Sequence, residues 1–228
     1  MSAVIRHLST FLLVAVVSLA QAANLDGISN TDASSGLKEA LTKGAEYAVA
    51  SLGKENGFLG NPKVKIPLPD SLKTAEKALR TFGMGKQADE LINTMNHAAE
   101  KAAAEAKPIL LDAVKKMSVQ DAKAILTGGE DSVTQFFRQS SSEPLGKKFL
   151  PIVQNATKQV KLAETYNKFA GKAASSGLID KKDADLDAYV TQKAMDGLFL
   201  MIAEQEKQLR ANPLQAGSNL LKKVFGAL

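Results

Sequence analysis

Asp185-Leu-Asp-Ala-Tyr-Val-Thr-Gln-Lys-Ala-Met-Asp-Gly-Leu-Phe-Leu-Met-Ile-Ala203, running on to Asn212-Pro213, decides the fold class. Asp185 or Asp187 stands where a helix N-cap belongs, because a short acidic side chain accepts from the free amides of a first turn. No proline follows until Pro213, which with Asn212 supplies the stop. Leu198-Phe-Leu-Met-Ile-Ala203 is apolar nearly all round, the pattern of a helix buried at the centre of a bundle. Gly197 just before it predicts a close approach between two helices, and a cofactor pocket at the same place stays open as an alternative.

Outward from that helix the same period recurs. Leu37, Leu41, Ala45, Ala48, Val49 and Leu52 share one face at about 100° per residue, with Ser29 and Asp32 as a capping pair and Gly53 as the stop. Helices are expected from about Ser71 to Gly83, from Lys86 to about Lys107, and from Pro108 to Met117. Ser118 with Asp121 predicts a capping box on a short helix that Gly128-Gly129 ends. Asp131 opens another through Phe136 and Phe137, and a long one bent at Pro151 is expected from Glu143 to about Ala174. Residues 216–226 form a last short helix. Eight or nine helices, no strand pair and no internal repeat make an all-α, single-domain multi-helix bundle. The exception is 53–70, where Gly53, Gly57, Gly60, Pro62, Pro67 and Pro69 forbid a continuous helix. Within it, Lys63-Val-Lys-Ile-Pro67 alternates like a short extended piece.

Composition narrows the chemistry. The chain has 228 residues, 45% hydrophobic and 23% charged, enough to bury a core without staples. It contains no cysteine, which excludes disulfides, zinc–thiolate sites, iron–sulfur clusters and cysteine nucleophiles. Tryptophan is absent and aromatics are 5%, so stacked bases or sugars have few platforms and nucleic acid is not an expected partner.

The N-terminus reads as an address. Met1 to His7 carries Arg6 and no acid, Leu8 to Leu19 is mostly apolar, and Ala20-Gln21-Ala22 places small residues where a signal peptidase reads. The apolar run is too short to span a ~30 Å hydrocarbon core as a helix. Cleavage after Ala22 is expected, leaving residues 23–228 as one helical domain in the periplasm, with no transmembrane segment. The cut removes one arginine and no acid, so net charge falls from +5 to +4.

No catalytic constellation stands out. His97 is the one histidine left after cleavage, so sites built on two imidazoles are excluded, and in Asn96-His97-Ala98 it reads as a surface or partly packed residue. Asp183, Asp185 and Asp187 resemble the start of a calcium loop, but the turn glycine is replaced by Ala188 and the twelfth position is Ala194. Glu204 and Glu206 are two apart and face different directions on a helix. No cofactor and no metal are expected.

Two surfaces could make contacts. Lys158, Lys161, Lys168 and Lys172 fall within about 80° of arc on the expected 143–174 helix, a stripe that suits an anionic membrane surface or simply a solvated face. Residues 143–182 carry net +5 and residues 183–211 net −3, so charge is sorted along the chain. Leu220, Leu221, Val224, Phe225 and Leu228 make one apolar face with Lys222 and Lys223 opposite, the pattern of an interfacial helix or of a terminal helix docked on its own core.

A wider resemblance joins these pieces. Asn30-Thr-Asp-Ala-Ser-Ser-Gly-Leu-Lys-Glu-Ala-Leu, Gly57-Phe-Leu-Gly-Asn-Pro, Ile66-Pro-Leu-Pro and Met95-Asn-His-Ala-Ala-Glu resemble a bacterial exported family. Asp121-Ala-Lys-Ala-Ile-Leu-Thr-Gly-Gly, Tyr189-Val-Thr-Gln-Lys-Ala-Met-Asp-Gly-Leu-Phe and Leu221-Lys-Lys-Val-Phe-Gly continue it. The family is the domain of unknown function 4197, and the resemblance covers nearly all of the chain after the signal. It implies a single exported domain of Gram-negative origin and carries over no catalytic residue, cofactor or partner. It draws weight to Phe58, Ile66, Pro67 and Pro69, whose segment either wraps rigidly across the bundle or forms one wall of a binding groove.

The sequence therefore points to an exported, non-catalytic binding module for an envelope protein or an amphiphile. Cargo would sit against the 198–203 helix, and an envelope surface would meet the lysines or the 220–228 face. The alternative from another class is a hydrolase whose carboxylates, such as Asp112, Asp121, Asp196 or Glu204, are brought together from separate helices.

Overall fold

The computed structural model describes residues 30–83, 85–176 and 184–212. The expected signal sequence and the expected last helix, with Leu221, Val224 and Phe225, lie outside them. The described chain forms α1 (Asn30–Leu52), α2 (Asp70–Thr81), α3 (Gly85–Ala104), α4 (Lys107–Lys116), α5 (Val119–Thr127), α6 (Ser132–Thr157), α7 (Lys161–Ser175) and α8 (Leu186–Ala211). Among the described residues there is no strand, and no helix is long and apolar enough to cross a membrane.

The ends of these helices follow from local chemistry. Ser118 Oγ accepts from Asp121 N at 3.1 Å while the Asp121 carboxylate accepts from Ser118 N at 2.9 Å, so the capping box closes in both directions. Asp185 caps α8 by accepting from Asp187 N and Ala188 N. Pro108 sits in the first turn of α4, where its missing amide costs nothing. Gly83, at φ +76°, makes the turn between α2 and α3 that a side chain would strain.

α8 runs through the middle, packed along α6, α1 and α3, while α2 lies mainly on α3. Phe137, Leu145 and Phe149 of α6 and Leu198, Phe199 and Ile202 of α8 are all essentially inaccessible. Each such side chain contributes about 1.5–3 kcal/mol on leaving water. The expected all-round burial of 198–203 breaks at Leu200, which is 40% exposed.

The middle of the chain divides differently from its sequence pattern. The expected break between Phe137 and Glu143 is absent, and α6 runs continuously through Pro144 and Pro151. Ser140, Ser141 and Ser142 donate their hydroxyls to the carbonyls of Phe136, Phe137 and Arg138, a back-bonding pattern that bends a helix without ending it. The expected continuity from Glu143 to Ala174 fails instead at 158–160, where Val160 N bonds Thr157 O and the chain turns into α7. No breaker residue marks this turn. Buried Thr157, bonded to Asp187 of α8 at 2.5 Å, and buried Val160 hold it in place.

Residues 53–69 cross the bundle as an irregular wrap. Val64, Ile66 and Leu68 are buried while Lys63, Lys65 and Pro67 are exposed, the period of an extended strand. The close approach expected at Gly197 is to this wrap and not to another helix. A Cβ there would stand 2.6 Å from Cε1 of Phe58, whose ring is fully buried.

Candidate functional site

The wrap is fastened to α3 by Asn96 and Glu100, one turn apart. Asn96 Oδ1 accepts from Ile66 N at 2.8 Å and its Nδ2 donates to Ile66 O at 2.9 Å, so a buried carboxamide does the work of a neighbouring strand. Glu100 Oε1 accepts from Phe58 N at 3.0 Å and Leu59 N at 3.1 Å. Its other oxygen, Oε2, lies 2.7 Å from His97 Nδ1. From α8, the Tyr189 hydroxyl donates to Pro67 O at 3.1 Å. Burial by itself would raise the Glu100 carboxyl, but the His97 bond and the Leu59 and Phe58 amides outweigh it and hold the group below the ordinary glutamate value.

His97 is thereby oriented by a buried carboxylate, with Nδ1 as the protonated nitrogen and 43% of its side chain exposed. It lines two open clefts together with Lys101, one towards Asn155 and Gln159 of the α6 end, the other towards Lys54 and Glu105. A carboxylate-oriented imidazole is a general-base geometry. Half of the Glu100 carboxylate, however, is committed to the wrap, which gives the pair a mechanical task of its own. The spacing of His97 and Glu100, three apart on a helix, was the available signal for this pairing; their attachment to 58–59 was not visible locally.

A second feature lies on the other side of the bundle. α4, α5 and α6 enclose an open groove of about 670 Å³. Ile109, Ala113, Met117 and Phe136 give it an apolar floor, and Asp112, Lys116, Asp121 and Gln139 line its polar edge. Phe136 is braced edge-on against core Phe137, with ring centroids 5.6 Å apart. Asp121, Phe136 and Gln139 also line an adjoining cleft of about 310 Å³ that reaches Ile125, Asp131 and Ser132. At that end Glu206, buried on α8, accepts from Val133 N and Thr134 N at the start of α6, and Arg210 pairs with it at 3.1 Å.

The expected contact residues fall in several places. Phe58 and Ile66 are fully buried, Pro69 is buried and Pro67 is exposed, so the side chains of Phe58 and Ile66 belong to the core. Lys158 ends α6 while Lys161, Lys168 and Lys172 belong to α7, so the four do not form a stripe on one helix. Asp112 and Asp121 share the α4–α6 groove, both exposed, the first paired with Lys116 at 2.6 Å and the second committed to its capping box. Asp196 pairs with Arg138 and Glu204 with Lys63, elsewhere on α8. Beside Ile202, where cargo was expected, the free space is about 10 Å³, room for one water. Among the described residues no group of acids and histidines is arranged to hold a metal ion.

Comparison with known proteins returns one finding. A family model described as protein of unknown function (DUF4197) matches residues 27–226. No curated protein and no solved structure matches the chain.

Proposed function

The chain belongs to the DUF4197 family, and we propose that it is a non-catalytic binding module of the cell envelope whose contact surface is the groove between α4, α5 and α6. The observation that carries this reading is the contrast between the two faces. On the wrap side Phe58 and Ile66 are packed into the core, and the open clefts beside His97 are lined largely by polar and charged side chains such as Lys54, Lys101, Glu105 and Gln159, whereas the groove exposes an apolar floor over a volume typical of ligand sites. Along the groove and its adjoining cleft, Asp112, Asp121 and Asp131 outnumber Lys116. An apolar floor with an acidic edge suits the apolar face of an amphipathic helix flanked by lysine or arginine, offered by an envelope protein. The hydrolase alternative has less to work with, because Asp112 and Asp121 are exposed and already engaged.

Site-specific photo-cross-linking tests the reading in the exporting cell. A benzophenone side chain replacing Gln139 should yield an adduct with one identifiable envelope protein. The same probe replacing Gln87, at the start of α3, should not, and Asp112→Lys should weaken the Gln139 adduct. Equal labelling at both positions, or indifference to Asp112→Lys, would count against the groove.

A further inference from the structure

Building on the reading of the groove as a recognition surface, we propose that its resident ligand is the chain's own C-terminal segment, residues 213–228. α8 stops at Asn212 beside this site. In the last turn of α8, Arg210 donates to Ile125 O at 3.3 Å and to Ser132 Oγ at 2.7 Å. Ile125 and Ser132 are themselves lining residues of the cleft that adjoins the groove. Glu206 and Arg210 thus clamp the end of α8 against the α5–α6 junction, and Pro213 cannot continue the helix regularly. The described chain ends at Asn212, two residues past a clamp on lining residues of the adjoining cleft.

Reach and chemistry agree with this placement. The eight residues 213–220 extend up to about 26 Å at ~3.3 Å each. α4, which forms one wall, has ten residues and is about 15 Å long. Leu220, Leu221, Val224, Phe225 and Leu228 recur at helical spacing and supply the apolar face that Ile109, Met117 and Phe136 call for. Lys222 and Lys223 fall on the opposite side of that pattern, which leaves their charges to solvent when the apolar face is seated. An envelope partner would then bind by displacing the segment, which lowers its apparent affinity by the fraction of groove left open.

The chain's lack of cysteine makes a disulfide test clean. The full chain from Ala23 with Gln139→Cys and Val224→Cys is oxidised mildly beside a control pair, Gln87→Cys with Val224→Cys. The groove pair should close within one chain at least about ten-fold faster than the control, and adding Phe225→Asp should remove that advantage. Equal closure of the two pairs, or closure unaffected by Phe225→Asp, overturns the proposal. Closure only between chains overturns it in favour of a second copy's segment. If the groove pair fails while the Gln139 photo-adduct persists, the segment is not the ligand and the groove reading stands. If the pair closes and no adduct forms, the segment docks there and the envelope reading falls.

Discussion

Gly197→Ala separates a locked wrap from one that gives way, because the two predict opposite signs. Glycine inside a helix is about 1 kcal/mol worse than alanine, so with a yielding neighbour the substitution stabilises by about that amount. Here the new methyl would stand 2.6 Å from Cε1 and 3.1 Å from Cζ of Phe58, and 3.4 Å from Cβ of Val64. The ring is fully buried and its own amide is held by Glu100 at 3.0 Å, so it has nowhere to swing. Overpacking of a tight core costs ~1–3 kcal/mol, and the rigidity of this ring puts the cost at the upper end. Offsetting the helix gain leaves a net loss of about 2 kcal/mol, or a Tm lowered by roughly 4–8 °C for a domain of this size. Thermal and urea unfolding followed by circular dichroism measure it directly. In a Phe58→Leu background the clash should disappear and Gly197→Ala should become neutral or stabilising, a coupling of about 2 kcal/mol. A stabilising Gly197→Ala in the otherwise natural chain, or strict additivity with Phe58→Leu, refutes the locked wrap.

Three further outcomes follow from two buried acids and the half-buried Asp187. The Glu100 carboxyl is held below its ordinary value of 4.5, so the stability it contributes is present above that pH and is lost as pH falls through the folded value. The stability gap between the natural chain and Glu100→Gln, read from urea midpoints, should therefore shrink on acidification below pH 4.5. Asp187 behaves oppositely. Burial raises it above 3.8, against the Thr157 hydrogen bond, so ionising it costs stability; Asp187→Asn should stabilise the chain at pH 7, with the gain vanishing below pH 3.8. Glu206→Ala should cost about 3–5 kcal/mol by leaving the first amides of α6 without their acceptor and the half-buried Arg210 without its opposite charge, and Glu206→Gln should cost less in the same unfolding assay.

What was legible in the sequence was local. The capping box at Ser118, the Asp185 cap, the stop at Asn212 and the fold class all rest on residues within a turn or two of each other, where side-chain and backbone chemistry settles the outcome. The α6–α7 turn was not legible, because Lys158-Gln-Val160 contains no breaker and the turn is held by Thr157 and Val160 packing into the bundle. Pro151, read as a bend and not as an end, does lie inside a continuous α6, as does Pro144. Gly197 signalled a close approach, but its partner, the ring of Phe58, lies far away along the chain. The segments carrying the family resemblance at 57–69, 95–100 and 189–199 meet at this point, through Asn96, Glu100, Tyr189 and Gly197. Among the acids singled out in advance, Asp112 and Asp121 share the groove, which periodicity alone could not place because it depends on how α4, α5 and α6 pack.

The central claim is that recognition belongs to the α4–α6 groove, while Phe58 and Ile66 of the wrap are core side chains that take no ligand. Amide hydrogen exchange on the full chain from Ala23 carrying Phe225→Asp, with and without a synthetic peptide of residues 213–228, tests it most directly. The account predicts slower exchange in 108–117 and 132–144 on adding the peptide, with 57–69 and 95–100 unchanged. Protection that appears at the wrap, or no protection in either region, would contradict it.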